Sequence, residues 1–229
     1  MGCLLGCDEQ LTAEMEAGSL VTEPWNLMRI IPTEEKTMRN TRLLIMLEGV
    51  IIAAIAVVLS FLPIQTGTAY FDLSLGLIPL GIYMLRRGAA PGMIAGCLWG
   101  LLLIVLGKAW VLSPIQVIIE YPIAFAFGGF GGIWAGKLRD FISEKKTDAV
   151  IRTVIFAGLT SAVARWFFHF IAGVVFWGDY APEEMSPVLY SLIGNGGSAL
   201  ANAIMMAVVL SIVVSKAQSL VRPKDKLVA

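Results

Sequence analysis

Six apolar runs separated by short polar connections dominate the chain from residue 43 onward, at about 43–62, 73–85, 89–107, 115–136, 150–177 and 187–214. A helix needs about 20 apolar residues to cross a bilayer, and fewer where its neighbours bury it. The 73–85 run is short and contains Pro79. Backbone N–H and C=O groups at membrane depth must be bonded within their own segment, so each run is read as a helix.

The connections carry a second pattern. Arg39 and Arg42 precede the first run, Arg86 and Arg87 follow the second, and Lys137, Arg139, Lys145, Lys146 and Arg152 lie between the fourth and fifth. Lys216, Arg222, Lys224 and Lys226 follow the sixth. The alternate connections, 63–72, 108–114 and 178–186, hold Lys108 against Asp72, Asp179, Glu183 and Glu184. Basic residues favour the cytoplasmic side of a membrane. The alternation predicts an all-α membrane protein with six transmembrane helices and both termini cytoplasmic. It also supports the short second span, without which the alternation is lost.

Composition agrees with that class. Charged residues make up 15% of the chain and hydrophobic ones 57%, whereas a soluble domain carries roughly 25% charged residues. A net charge of zero leaves no nucleic-acid footprint. One histidine and three cysteines are too few for a tetrahedral Cys/His metal site, and no disulfide framework is implied. No cofactor is expected. The organisation reads as a polar segment 1–37, a membrane domain 38–218 and a basic cytoplasmic tail 219–229. Leu4-Leu5-Gly6-Cys7 has the form of a lipoprotein cleavage box, but no charged and apolar signal region precedes it. Residues 1–37 are expected to be a disordered tail or a translated leader ahead of a start at Met38.

Glycines recur every four residues at Gly92, Gly96 and Gly100, and again at Gly128, Gly132 and Gly136. That spacing lets helix backbones approach closely and is read as bundle packing. No longer internal repeat is present.

Ionisable groups inside membrane spans are costly and mark functional candidates. Glu48 lies in the first run, Glu120 in the fourth, and Arg165 and His169 in the fifth. Glu48 is expected to pair with Arg42 or reach the inner surface and has no ligand role. Arg165, His169, Gly173 and Trp177 are spaced by four, which draws one slowly drifting stripe along a helix. Glu120 and Tyr121 sit at a similar depth, as do Tyr190 and Asn195 at the start of the sixth run. A carboxylate among aromatic walls suits a planar organic cation, through ion pairing and cation–π contact. Asn195 offers a donor and an acceptor for a heteroaromatic edge. Each residue also has a structural reading: Trp177 and Tyr190 as interfacial aromatics, His169 as a core residue, Asn195 as helix glue, and Glu120 as the partner of Arg165. Acid–base catalysis and ion conduction are the competing functions. The run of aromatics and the lack of a nucleophile–base pair or metal cluster favour binding.

The stretch Arg165-Trp166-Phe167-Phe168-His169-Phe170-Ile171-Ala172-Gly173-Val174-Val175-Phe176-Trp177 resembles the thiamine-specific substrate-binding (S) components of energy-coupling-factor (ECF) transporters. Leu85-Arg86-Arg87-Gly88, Ile119-Glu120-Tyr121 and Tyr190-Ser191-Leu192 leading to Asn195-Gly196 agree in order and spacing, and the resemblance runs from about Met38 to the C-terminus. It implies a bacterial cell-membrane protein with an outward-facing pocket for thiamine. Glu120 would meet the thiazolium, Trp177 and His169 would flank the rings, and Tyr190 and Asn195 would address the pyrimidine. Tyr121 would supply a hydroxyl, Gly173 would line the pocket, and Tyr70 and Trp110 would stand where the family places further pocket aromatics. Trp99 would lie behind them. The implied partners are a shared transmembrane coupling protein and two cytoplasmic ATPase subunits, and the chain has no Gly-rich Lys-Ser/Thr phosphate loop of its own. Family members dock through small residues on the first helix. Here Gly49, Ala53 and Ala54 are the nearest match. The resemblance also bears on residues 1–37. Among the RNAs able to encode Trp25–Pro32 is one resembling a thiamine-pyrophosphate riboswitch signature, as expected of a translated leader.

Overall fold

The structure, a computed structural model, describes residues 24–62 and 71–223, with side chains described for 40–62 and 71–223. All regular elements among the described residues are helical. The chain divides into two compact units, Met1–Leu43 and Leu44–Ala229. The described part of the first unit is helical from Pro24. The bundle and its cavity belong to the second.

Helix α1 is Pro24–Ser60, α2 is Leu77–Arg87 and α3 is Ala89–Val105. The fourth apolar run is not one helix. It passes through α4 (Pro114–Ile118), a π turn (Ile119–Ile123), α5 (Ala124–Phe127), a 3-10 turn (Phe130–Trp134) and α6 (Ala135–Ser143). Helices α7 (Thr147–Phe176) and α8 (Pro187–Lys216) complete the bundle, each 30 residues long. Among the described residues four stretches are long and apolar enough to cross a membrane: Asn40–Ser60, Pro114–Ser143, Thr147–Phe176 and Pro187–Lys216. Ala89–Val105 is a shorter apolar helix.

The second run departs from its expected bounds. Helix α2 starts at Leu77 and has 11 residues, a rise of about 16 Å against a hydrocarbon core of about 30 Å. Pro79 falls in its first turn, where a backbone N–H needs no partner within the helix, so the proline is tolerated. The fourth run is broken because Pro122 cannot donate a backbone hydrogen bond and lies inside the π turn. Insertions of this kind are frequent at functional sites.

One glycine ladder works as its spacing predicts. A Cβ at Gly92 would stand 3.0 Å from the Gly129 carbonyl oxygen, one at Gly96 would stand 2.9 Å from the Phe125 carbonyl carbon, and one at Gly100 would stand 2.6 Å from the Tyr121 carbonyl carbon. Helix α3 thus lies backbone to backbone on the broken fourth segment, with a step of four residues on both sides. The second ladder is not continuous. Gly132 packs on the Gly88–Ala89 junction and Gly128 on Leu77 and Leu80, but nothing lies within 4 Å of a Cβ at Gly136. Gly129, outside the expected ladder, packs directly on the backbone of Gly92 and Met93. The core between these elements includes Trp99, Leu77, Leu80, Met84, Leu85, Leu138, Met206 and Leu210, all within 1% exposure.

At the end of the bundle where α2 meets α3, Glu48 receives two hydrogen bonds from Arg87, from Nε at 2.6 Å and Nη2 at 2.8 Å. Arg86 Nε stands 3.5 Å from the same carboxylate. This replaces the expected pairing of Glu48 with Arg42: the side chain turns toward α2, where the Arg87 side chain is fully buried. Arg86 Nη1 also donates to the carbonyl of Arg222 at 3.1 Å, tying the turn after α8 to the end of α2.

The face of α1 differs from the one drawn through its small residues. Gly49 and Ala53 are buried, and a Cβ at Gly49 would stand 2.9 Å from the Tyr83 hydroxyl. Of the three residues expected to dock a partner, Ala54 alone is on the exposed face. Gly49 and Ala53 are spent on packing α1 within the bundle.

Candidate ligand-binding site

A cavity of about 450 Å³ opens between α3, the π turn, α7 and α8, within the usual range of roughly 300–1,000 Å³ for small-molecule pockets. Trp110, Glu120, Tyr121, His169, Gly173, Trp177, Tyr190 and Asn195 line it, together with Trp99 and Arg165. Tyr70 lies outside the described residues. The stripe spaced by four on α7 therefore faces the cavity along its length. The π turn presents two consecutive residues, Glu120 and Tyr121, to the same space.

Glu120 is 9% exposed. Its Oε1 accepts the indole N–H of Trp177 at 2.6 Å, and its Oε2 accepts an amide N–H from Gln116. It makes no ion pair among the described residues. Neutral donors hold the carboxylate in place without neutralising it, so its charge faces an aromatic-walled cavity. That arrangement attracts a cation with a flat apolar body.

Arg165 does not bridge to Glu120. Its Nη2 stands 3.6 Å from Asp72 Oδ2, and its guanidinium lies 4.2 Å from the Phe125 ring centroid and 5.7 Å from that of Trp99. Asp72 belongs to a short segment strapped to α8. Its backbone N–H donates to Ser198 Oγ at 2.9 Å, and its carbonyl accepts from Asn202 Nδ2 at 2.9 Å. Ser74 N–H donates to Asn202 Oδ1 at 2.9 Å, and Ser74 Oγ donates to the Asp72 carboxylate. This network closes one side of the cavity and places Asp72 beside the buried cation, whose Nε has no hydrogen-bond partner among the described residues.

The remaining walls are aromatic and polar by turns. Tyr121 stacks on Phe125 with centroids 5.8 Å apart, and its Oη accepts the Trp110 backbone N–H at 2.8 Å. His169 packs edge-on to Phe125, and its buried Nε2 has no hydrogen-bond partner among the described residues. Gly173 lets α8 come close: a Cβ there would stand 2.5 Å from Asn195 Nδ2 and 3.0 Å from Ser191 Cβ. Asn195 Nδ2 donates to Ser191 Oγ at 3.1 Å, and Ser191 Oγ donates in turn to the Phe170 carbonyl at 2.8 Å. The carbonyl oxygen of Asn195 is left for other partners.

Sequence reasoning missed Gln116, Asp72, Ser198 and Asn202. Gln116 precedes Glu120 by four residues in an apolar run, and Ser198 and Asn202 are spaced by four in another. A polar pair at helical spacing inside a span was the signal available.

An all-helical membrane fold around one unneutralised carboxylate in an aromatic-walled cavity defines a membrane-embedded binding protein for a small organic cation. The family of thiamine transporter proteins (Thia_YuaJ) matches residues 46–222. The chain is 40% identical over 193 residues to the thiamine transporter ThiT of Lacticaseibacillus paracasei, covering 82% of this chain and 94% of that protein. It is 29% identical to ThiT of Bacillus subtilis over 189 residues, covering 80% and 97%. A solved structure of ThiT from Listeria monocytogenes superposes with a TM-score of 0.77 at 39% identity, covering 80% of this chain and all of that one. The chain belongs to the ThiT/YuaJ thiamine transporter family, a family of multi-pass bacterial membrane proteins that are transporters rather than enzymes.

Proposed function

We propose that this protein is the thiamine-capturing S component of an ECF-type importer. Glu120 carries the reading: a buried carboxylate with neutral donors on both oxygens and no cationic partner among the described residues. The thiazolium of thiamine supplies the missing positive charge. Trp177 and His169 flank the rings, Tyr190 and Asn195 address the aminopyrimidine, and Tyr121 meets the hydroxyethyl arm. Gly173 gives the ligand and α8 room, and Trp110 adds to the aromatic wall.

In this reading six helices cross the membrane with both termini cytoplasmic, and the cavity opens outward. The basic connections of the sequence support that orientation. The short α2 is the least self-sufficient span and crosses within a shell of neighbours. The chain supplies no phosphate loop, so a shared transmembrane coupling protein and two cytoplasmic ATPases drive delivery. The exposed face of α1, which carries Ala54, is the surface offered to the coupling protein.

Thiamine binding by the purified protein, followed by quenching of tryptophan fluorescence, tests the proposal. Saturable quenching that is strongly weakened in Glu120→Gln and Trp177→Ala is the expected result. A folded wild-type protein that does not bind thiamine removes the vitamin from the argument.

A further inference from the structure

Gln116 lies outside the cavity lining and is fully buried. Its side chain nonetheless makes three hydrogen bonds beside the site. Nε2 donates to Glu120 Oε2 and to the Trp110 carbonyl at 3.1 Å, while Oε1 accepts the Leu112 backbone N–H at 3.0 Å. The backbone N–H of Gln116 donates to Ser113 Oγ at 3.2 Å, which caps α4. One amide thus spends both ends on two structures: the carboxylate of the cavity and the loop 110–113.

The same loop is held a second time by the cavity. The Trp110 backbone N–H donates to Tyr121 Oη, and Tyr121 follows Glu120 on the π turn. Both residues that the π turn sends into the cavity are therefore tied to the loop, Tyr121 directly and Glu120 through Gln116. Trp110 is 65% exposed and Val111 67%, so packing within the bundle contributes little to holding that loop. Its order rests mainly on these hydrogen bonds.

We infer that Gln116 is a positioning residue for ligand recognition: it fixes the Glu120 carboxylate in the orientation that receives the ligand cation, and it couples that carboxylate to loop 110–113. The inference rests on the thiamine reading above. A carboxylate held by two donors presents its charge in one direction. With Gln116 removed, the Trp177 indole alone holds Glu120, and the side chain turns about that single bond. The loss then falls on the charged part of the ligand. A general loosening of the bundle affects every ligand alike.

The test compares thiamine with its thiophene analogue, in which carbon replaces the thiazolium nitrogen and removes the charge. Calorimetric affinities for both ligands are measured on wild type, Gln116→Met and Gln116→Asn. The first variant keeps the length and loses the hydrogen bonds, and the second keeps the amide but withdraws it. Loss of one hydrogen bond to a charged group corresponds to about a tenfold or greater change in affinity. Thiamine is expected to weaken about tenfold more than the neutral analogue in both variants. A difference smaller than about fivefold between the two ligands overturns the inference while leaving thiamine binding by wild type intact. Wild type that binds neither ligand overturns the functional reading and this inference together. If neither variant folds, hydrogen–deuterium exchange of the wild-type segment 110–116 decides. Slower exchange at the Leu112 amide on adding thiamine supports the coupling, and unchanged exchange overturns it.

Discussion

Arg165 Nη2 stands 3.6 Å from Asp72 Oδ2, on the side of the cavity closed by the 71–74 segment, and Glu120 has no part in that pair. The buried cation is compensated there by a carboxylate and by the faces of Phe125 and Trp99. Glu120 is thereby left without an ion-pair partner among the described residues. The Asp72 side chain is 50% exposed, whereas that of Arg165 is 7% exposed. Asp72→Ala leaves Arg165 buried without its counter-charge and is expected to lower stability by about 1–3 kcal/mol, less than for a pair buried on both sides. Arg165→Met in the same chain should restore most of that loss. Thermal unfolding of the four proteins of this cycle in one detergent measures the coupling, and strictly additive effects would show that the pair contributes nothing.

Trp177 has two roles that one substitution separates. Its ring forms part of the wall beside Tyr180, and its N–H holds Glu120 Oε1 at 2.6 Å. Trp177→Phe keeps a ring and removes the donor. Thiamine affinity is expected to fall about tenfold, the effect of one hydrogen bond to a charged group. Trp177→Ala removes ring and donor and should fall further. Equal affinities for the Phe and Ala variants in a direct titration would assign the whole effect to the donor.

Gly173 is expected to tolerate no side chain. Its Cβ would press on Ser191 and on the Asn195 amide. Gly173→Ala therefore pushes α8 or rotates Asn195 away, with a cost of about 1–3 kcal/mol for overpacking. Thiamine binding should weaken together with thermal stability. A variant that melts like wild type and binds like wild type would show that the α7–α8 contact yields without consequence.

Gly100 and Gly136 look alike in the sequence and should behave oppositely. A Cβ at Gly100 would stand 2.6 Å from the Tyr121 carbonyl carbon, so Gly100→Ala displaces the π turn that carries Glu120 and Tyr121. A loss of about 1–3 kcal/mol and weaker thiamine binding are expected. A Cβ at Gly136 meets nothing within 4 Å. Gly136→Ala is expected to be neutral or stabilising by up to about 1 kcal/mol, because alanine loses less backbone freedom in a helix. Paired melting curves decide the matter.

Part of the cavity lining follows from spacing along the chain. Residues four apart on a helix share a stripe because backbone geometry is local, so Arg165, His169, Gly173 and Trp177 were placed on one face correctly. The Gly92, Gly96 and Gly100 ladder was legible for the same reason. Apolar length and the sorting of basic residues by side were sufficient to predict a helical membrane protein. What periodicity cannot supply is the rotation of one helix against another or the approach of segments far apart in the chain. Packing turned Gly49 and Ala53 inward against the bundle and left Ala54 exposed. It brought Glu48 to Arg87 across 39 residues and Trp177 to Glu120 across 57. It assigned Arg165 to Asp72, because the strap from Ser198 and Asn202 holds that carboxylate at one side of the cavity. The sequence by itself determined that the apolar runs are helical and which residues share a stripe, since both follow from bonds within a few residues, but not where each helix starts or breaks. Only the tertiary structure decided which buried charge is paired and which is not, since that depends on distances between side chains that the order of residues does not contain.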